Sequence, residues 1–211
     1  MRCKELLKLV HDRLFSEYGI CQCPLLHDTP FQLLAAVMLS AQCRDERVNA
    51  VTRQLFQLAP DAPAMAATSP DEIEKIIHPC GLSGSKSRNL HASSCMIVDK
   101  FGSEVPASME DLIQLPGIGR KSANVILGNC FGIPGFPVDT HVRRVLNRIG
   151  AVDSDSPEKI EKIVTRNIEC ELWTNYSHLI IQHGRKVCHA GRPQCEKCVL
   201  ADICKKKDIK K

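Results

Sequence analysis

Lys121 stands directly behind Pro116-Gly117-Ile118-Gly119, where the run RKSANVIL begins a helix. Glycines let a backbone bend sharply and approach a ligand with no Cβ in the way. The first N–H groups of the helix that follows lack partners within it, and its dipole makes that end electropositive. A phosphate is a natural occupant of such a turn, the blander reading being an ordinary connection between two helices. A free lysine amine has a pKa of about 10.4, so at neutral pH it is protonated and a poor nucleophile. Desolvation and a helix N-terminus both disfavour the ammonium, which makes this a position where a lysine could become a nucleophile. A carboxylate to accept its proton is offered by Asp139 in PVDTHVRRVLNR. Asp139 equally suits a helix N-cap, and spacing alone does not establish that it meets Lys121.

A second constellation lies near the end of the chain. Cys188, Cys195, Cys198 and Cys204 are spaced C-x6-C-x2-C-x5-C. Four thiolates so close would repel one another without a cation, so a metal centre is the economical explanation. Zinc and an iron–sulfur cluster both accept four cysteines, and the spacing does not separate them.

Helical patterning supplies the elements that must position these groups. Leu6, Leu7, Val10, Leu14 and Phe15 recur at helical intervals before a stop at Gly19. Residues 30–41 are apolar on most sides and read as a buried helix. Val48, Val51, Leu55 and Leu58 mark another that Pro60 ends, and Ser69-Pro70 opens a third with Ile73, Ile76 and Ile77 inward. GLSGSKS at 81–87 reads as a glycine-serine turn, with helix resuming through about Lys100. Ser108 caps a short helix to Leu115, and the hairpin then leads into a second helix, the pattern of a helix-hairpin-helix over about 108–131. FGIPGFP at 131–137 is the strongest internal boundary, and helical patterns follow near 140–149, 157–169 and 173–187. Strand alternation is absent, so the expected class is all-α.

The 211 residues suffice for a proper core. Formal net charge is +4, but residues 185–211 hold nine Lys/Arg against three Asp/Glu, leaving −2 for the rest. A basic end on a near-neutral body suits a polyanionic partner. Lys205–Lys207, Lys210 and Lys211 read as a disordered tail. No signal core or membrane-spanning run is visible, the longest apolar run being Leu33–Leu39. An intracellular location is expected, where twelve cysteines favour metal ligation over disulfides. Compactness and the lack of a targeting extension point to a prokaryotic source.

LPGIGRKSAN, then VDTHVRRVLNR, then four spaced cysteines resembles the endonuclease III family of helix-hairpin-helix DNA glycosylases, from LSAQ near position 40 through HGRKVC to Cys204. The resemblance implies a base excision repair enzyme, with Lys121 as Schiff-base nucleophile and Asp139 as catalytic aspartate. Related adenine glycosylases typically have serine at the lysine position, so Lys121 implies a bifunctional enzyme: an N-glycosylase for oxidised pyrimidines that also cleaves abasic sites by β-elimination. The alternatives are a monofunctional mismatch glycosylase and a non-catalytic iron–sulfur DNA-binding protein. The resemblance also implies one [4Fe–4S] cluster per chain on Cys188, Cys195, Cys198 and Cys204. Double-stranded DNA with damaged or abasic sites becomes the partner, bound by a monomer in the cytoplasm at the nucleoid, with no membrane. DNA contacts fall to Gln42 and Leu82, which enter the duplex, to Pro116, Gly117, Ile118 and Gly119 of the hairpin, and to Arg192. Cys43-Arg44 departs from the small or hydroxylated residues common after the family's LSAQ. Two helical lobes are implied. Residues 22–132 would form a six-helix bundle, and residues 1–21 with 133–211 an iron–sulfur domain, with the active cleft between them.

Overall fold

The computed structural model describes residues 2–209, among which there is no strand and no helix long and apolar enough to cross a membrane. The chain divides into two compact units. Met1–Gln22, carrying α1 (Cys3–Tyr18), joins Pro134–Lys211 as the terminal unit, and Cys23–Ile133 forms the central unit.

The central unit is built around α2 (Pro30–Leu39), in which Phe31 and every residue from Leu33 to Leu39 are buried. Thr29 caps it by accepting the Gln32 N–H, with Pro30 at its first position. The chain continues through α3 (Asp45–Leu58), α4 (Ala62–Ala67), α5 (Pro70–Ile77) and a 3-10 turn at His78–Cys80. In α5 the Ser69 hydroxyl takes the Glu72 N–H and the Glu72 carboxylate returns to the Ser69 N–H, a closed capping box. α6 (Ser83–Phe101) lies against α4 and α5, and α7 (Met109–Leu112) precedes the hairpin into α8 (Arg120–Cys130). Short α4, capped by Asp61, lacks a long enough apolar period to announce itself in the sequence. The other six segments, α2, α3 and α5–α8, are those the patterning indicates.

Two expectations need correction here. Residues 83–87 are not a turn: α6 starts at Ser83, because Lys86 and Ser87 are drawn into the interior and tertiary packing overrides the glycine-serine composition. The helix capped by Ser108 ends at Leu112 rather than Leu115, since the chain tightens there into i→i−3 hydrogen bonds such as Leu115 N–H to the Leu112 carbonyl.

In the terminal unit α1 packs on α11 (Trp173–Lys186), and α11 on α9 (Thr140–Ile149), with α10 (Pro157–Thr165) completing the helices. The helical pattern beyond Thr165 gives way to a separate 3-10 turn at Cys170–Leu172. Leu7, Val10, Leu14, Val142, Val145, Leu146, Ile160, Val164, Leu179 and Ile180 form the core with Tyr176. Tyr176 is fully buried, and its hydroxyl donates to the Leu7 carbonyl (2.9 Å), so the polar group is not stranded. Lys205 and Lys207 are not a free tail: their N–H groups donate to the Ile149 and Arg148 carbonyls, satisfying the end of α9, and Lys207 pairs with Asp153. Lys210 and Lys211 lie outside the described residues.

Candidate functional site

In the central unit the hairpin is shaped by its own sequence. Gly117 has φ +82°, a region that only glycine enters freely, and a Cβ there would lie 3.0 Å from Asn89 Nδ2 and Met38 Cε. The Pro116 carbonyl accepts the Ser93 hydroxyl of α6 (2.7 Å), which anchors the turn. Ile118 is buried, while Gly119 is exposed and has nothing within 4 Å of where its Cβ would stand. Gly119 is also the N-cap of α8 and supplies no side-chain acceptor. A helix start that is open to approach and uncapped from within is suited to an outside anion. Lys121 is the second residue of that helix and is exposed.

Gln42 and Leu82 share an unusual backbone. Both are non-glycine residues in the left-handed region, at φ 55° and 52°, and both are exposed, Leu82 to 58%. Such conformations are sterically disfavoured for L-residues and persist only where the surroundings over-determine them. Leu82 is the N-cap of α6 and, like Gly119, gives no side-chain cap. Arg44, exposed, begins α3 in the same uncapped way, and the Cys43 N–H donates to the Ser40 carbonyl.

One face of α6 touches all these segments, and sequence reasoning missed it. Lys86 Nζ donates to the Leu39 carbonyl (2.9 Å), at the root of the Gln42 segment, and to the Cys80 carbonyl (3.0 Å), beside Leu82. Asn89 packs where Gly117 turns, and Ser93 holds Pro116. Positions 86, 89 and 93 are three and seven residues apart, one side of a helix. The available signal was Lys86 itself, in register with Leu90, Ser93 and Ile97 on the buried stripe.

In the terminal unit Asp139 is the N-cap of α9, its Oδ1 accepting the Val142 N–H (2.8 Å), which fixes the carboxylate's rotamer. His141 lies two residues after it in sequence and against Gly184, where a Cβ would come within 2.9 Å of the His141 ring. Burial pushes the His141 imidazole below its usual range, and Asp139 opposes that shift.

Cys188, Cys195, Cys198 and Cys204 line one small cavity together with Val187, Pro193 and Ala201. Burial pushes the Cys198 and Cys204 thiols up, and each is raised further by the neighbouring cysteines of the set. Among the described residues no three His, Cys, Asp or Glu side chains are drawn together as for a single metal ion. Four cysteine sulfurs around one cavity are a donor set that suits a thiophilic cationic centre, zinc and an iron–sulfur cluster alike. Around it Arg148, 7% exposed, donates to the His189 (2.6 Å) and Ala190 (2.7 Å) carbonyls and approaches Cys188 Sγ (3.5 Å). Arg144 donates to the Cys188 (3.1 Å) and Gly184 (2.9 Å) carbonyls. His183 bridges Tyr18 Oη (3.1 Å) and Cys198 Sγ (3.4 Å), and burial pushes its imidazole down to about 4. The loop so pinned presents exposed Arg192.

Comparison with known proteins shows the family and the fold. Residues 35–170 match the model of the HhH-GPD superfamily base excision DNA repair protein family. Endonuclease III of Synechocystis sp. is 48% identical over 188 residues, 89% of this chain and 86% of that protein. Two solved structures, a non-covalent endonuclease III–DNA complex and a trapped endonuclease III–DNA covalent intermediate, each superpose with a TM-score of 0.94 at 39% identity, covering 98% of this chain and 97% of theirs. A thermostable thymine-DNA glycosylase shares the fold at 19% identity, with a TM-score of 0.85 over 95% of each chain. The family model over residues 35–170, the 48% identity to a relative along most of both chains and the superposition over 98% of this one together show that the chain belongs to the endonuclease III family of base excision repair DNA glycosylases.

Proposed function

We propose that this protein removes oxidised pyrimidines from duplex DNA and then cuts the strand at the resulting abasic site. The observation that carries the reading is Lys121 in the first turn of α8, behind a hairpin whose Gly119 leaves the helix start open and uncapped. Support also comes from the solved relative described as a trapped covalent intermediate with DNA.

The chemistry begins with extrusion of the damaged nucleotide, at a cost of about a few kcal/mol that is least for a poorly stacked base. The Lys121 amine attacks the sugar C1′, and the electrons of the glycosidic bond leave with the base. Asp139 accepts the amine proton and stabilises positive charge on the sugar. Opening of the sugar ring leaves an imine between lysine and C1′. Loss of a C2′ proton then expels the 3′ phosphate, cutting the strand. Leu82 wedges into the vacated stack, and Gln42 hydrogen-bonds the base left without a partner. Pro116–Gly119 and Arg192 hold phosphates, so binding weakens steeply with salt.

Cys188, Cys195, Cys198 and Cys204 hold a [4Fe–4S] cluster, one per chain. Its contribution when bound is structural: iron–thiolate bonds cross-link a segment too short to form its own core. The four cysteines around one cavity support a metal centre, and membership of the endonuclease III family supports a cluster over zinc. Yellow-brown protein containing iron and sulfide is the expected result, and colourless zinc protein would refute the assignment. The enzyme works as a monomer on chromosomal DNA of a prokaryotic cytoplasm, in keeping with its bacterial relatives.

Borohydride trapping on duplexes bearing oxidised pyrimidines, mismatches and abasic sites tests the reaction. Wild-type protein should form a covalent adduct, Lys121→Ala should form none, and Asp139→Asn should release base slowly while still trapping on preformed abasic DNA. Base release without an adduct would make the protein monofunctional. Binding without either would make it a non-catalytic DNA-binding protein.

A further inference from the structure

Lys86 is a charge far from ordinary lysine surroundings. Its residue is 5% exposed, in the first turn of α6, and burial pushes the amine below its usual range. The two carbonyls it binds belong to different segments. Leu39 ends α2, where the last carbonyls carry partial negative charge, and Gln42 follows three residues on. Cys80 ends a 3-10 turn, two residues before Leu82. Between these anchors and the next regular helices, Gln42 and Leu82 each hold left-handed backbone. Two separate segments with the same rare conformation thus converge on one buried ammonium.

We propose that Lys86 is a positioning residue that ties the roots of the two wedge segments together, so that Gln42 and Leu82 are set in place before a duplex arrives. The proposal rests on the reading of Gln42 and Leu82 as the residues that fill a gap in DNA. Removing the ammonium takes the donor from both carbonyls at once. Each segment then relaxes its strained residue independently, and gap filling must restore both conformations. The hairpin's hold on phosphate, organised by Ser93 and Gly117, does not depend on Lys86.

The test measures affinity of the intact, cluster-loaded protein for a duplex with an uncleavable abasic analogue and for the same duplex undamaged, at fixed salt. Wild type prefers the abasic duplex, and Lys86→Met reduces that preference about tenfold, the weight of one hydrogen bond to a charged group. Affinity for undamaged duplex stays the same. A cycle with the double variant Gln42→Ala/Leu82→Ala separates positioning from general packing: once both wedge side chains are absent, Lys86→Met should cost little further preference. Additive losses, or an unchanged preference in Lys86→Met, would overturn the proposal. A wild-type protein with no abasic preference would instead refute the gap-filling reading itself. Should Lys86→Met lose its far-ultraviolet helical signal, Lys86→Gln replaces it, since its shorter neutral amide reaches one carbonyl at most. The same coupled loss is expected, and its absence counts equally against the proposal.

Discussion

The central and terminal units each hold exposed segments in one shape, and they do so by different means. In the central unit the fold itself suffices. α6 sends Lys86 and Ser93 to backbone carbonyls and Asn89 against Gly117, above a core in which Leu33, Leu34, Leu39, Leu55 and Ile73 are fully buried. In the terminal unit the segment from Cys188 to Cys204 has only a 3-10 turn at Cys195–Lys197 for regular structure, and it leans on Arg144, Arg148 and four cysteines. One unit carries its candidate DNA contacts in short turns and helix starts braced by α6, the other carries Arg192 on a loop for which we propose an inorganic cross-link.

The central unit shows a second contrast within itself. α2, α4, α5 and α7 begin on Thr29, Asp61, Ser69 and Ser108, whose side chains each accept an N–H of their own helix. α3, α6 and α8 begin on Arg44, Leu82 and Gly119, which make no such bond. The uncapped starts are those beside the candidate DNA contacts. Within the central unit, then, a helix start without a side-chain cap coincides with a candidate contact, where its N–H groups are open to an outside acceptor.

The largest effect should come from the proposed cluster site. Cys198→Ser should lose the visible absorbance of the cluster and destabilise the terminal unit by about several kcal/mol, whereas protease protection of residues 23–133 survives; equal loss in both units would erase the contrast. Arg148→Ala should follow, at about 3 kcal/mol in chemical denaturation, because it strips two carbonyls of a buried donor while leaving the cavity's cysteines in place. Gly117→Ala should cost about 2 kcal/mol by the same measurement, from left-handed strain and the crowding of Asn89 and Met38. Ser69→Ala should cost about 1 kcal/mol of stability, with no change in DNA affinity. Smallest in stability is Leu82→Gly, which relieves a strained residue and should leave melting unchanged or raise it by about 1 kcal/mol, while weakening affinity for an abasic duplex.

Much of this site is legible in the chain because its signals are local. PGIG followed by a basic helix start and the Ser69-Pro70 opening each act over a few residues, and each takes its expected local form. What the sequence hides is long-range. Lys86 sits among glycine and serines that suggest a turn, and only the carbonyls of Leu39 and Cys80 make it interior. Arg148 looks like one of several basic residues on α9 until the His189 and Ala190 carbonyls are seen around it. Left-handed backbone at Gln42 and Leu82 is likewise invisible, since neither residue type favours it. Lys205–Lys207 misled in the opposite sense: composition suggested a solvated tail, but hydrogen bonds from Lys205 and Lys207 to the end of α9 and from Lys206 to Cys204 decide their place.

The division of the chain also imposes an order of assembly during synthesis. Leu6, Leu7, Val10 and Leu14 leave the ribosome first, yet the core they complete is made of residues beyond Pro134. At about 5–20 residues per second, α1 waits on the order of ten seconds for its partners, while Cys23–Ile133 can close as soon as it emerges. The nascent protein therefore gains its hairpin before it can gather its four cysteines, and a ribosome-stalled chain ending near residue 170 should protect the middle of the sequence from protease but leave α1 open to cleavage.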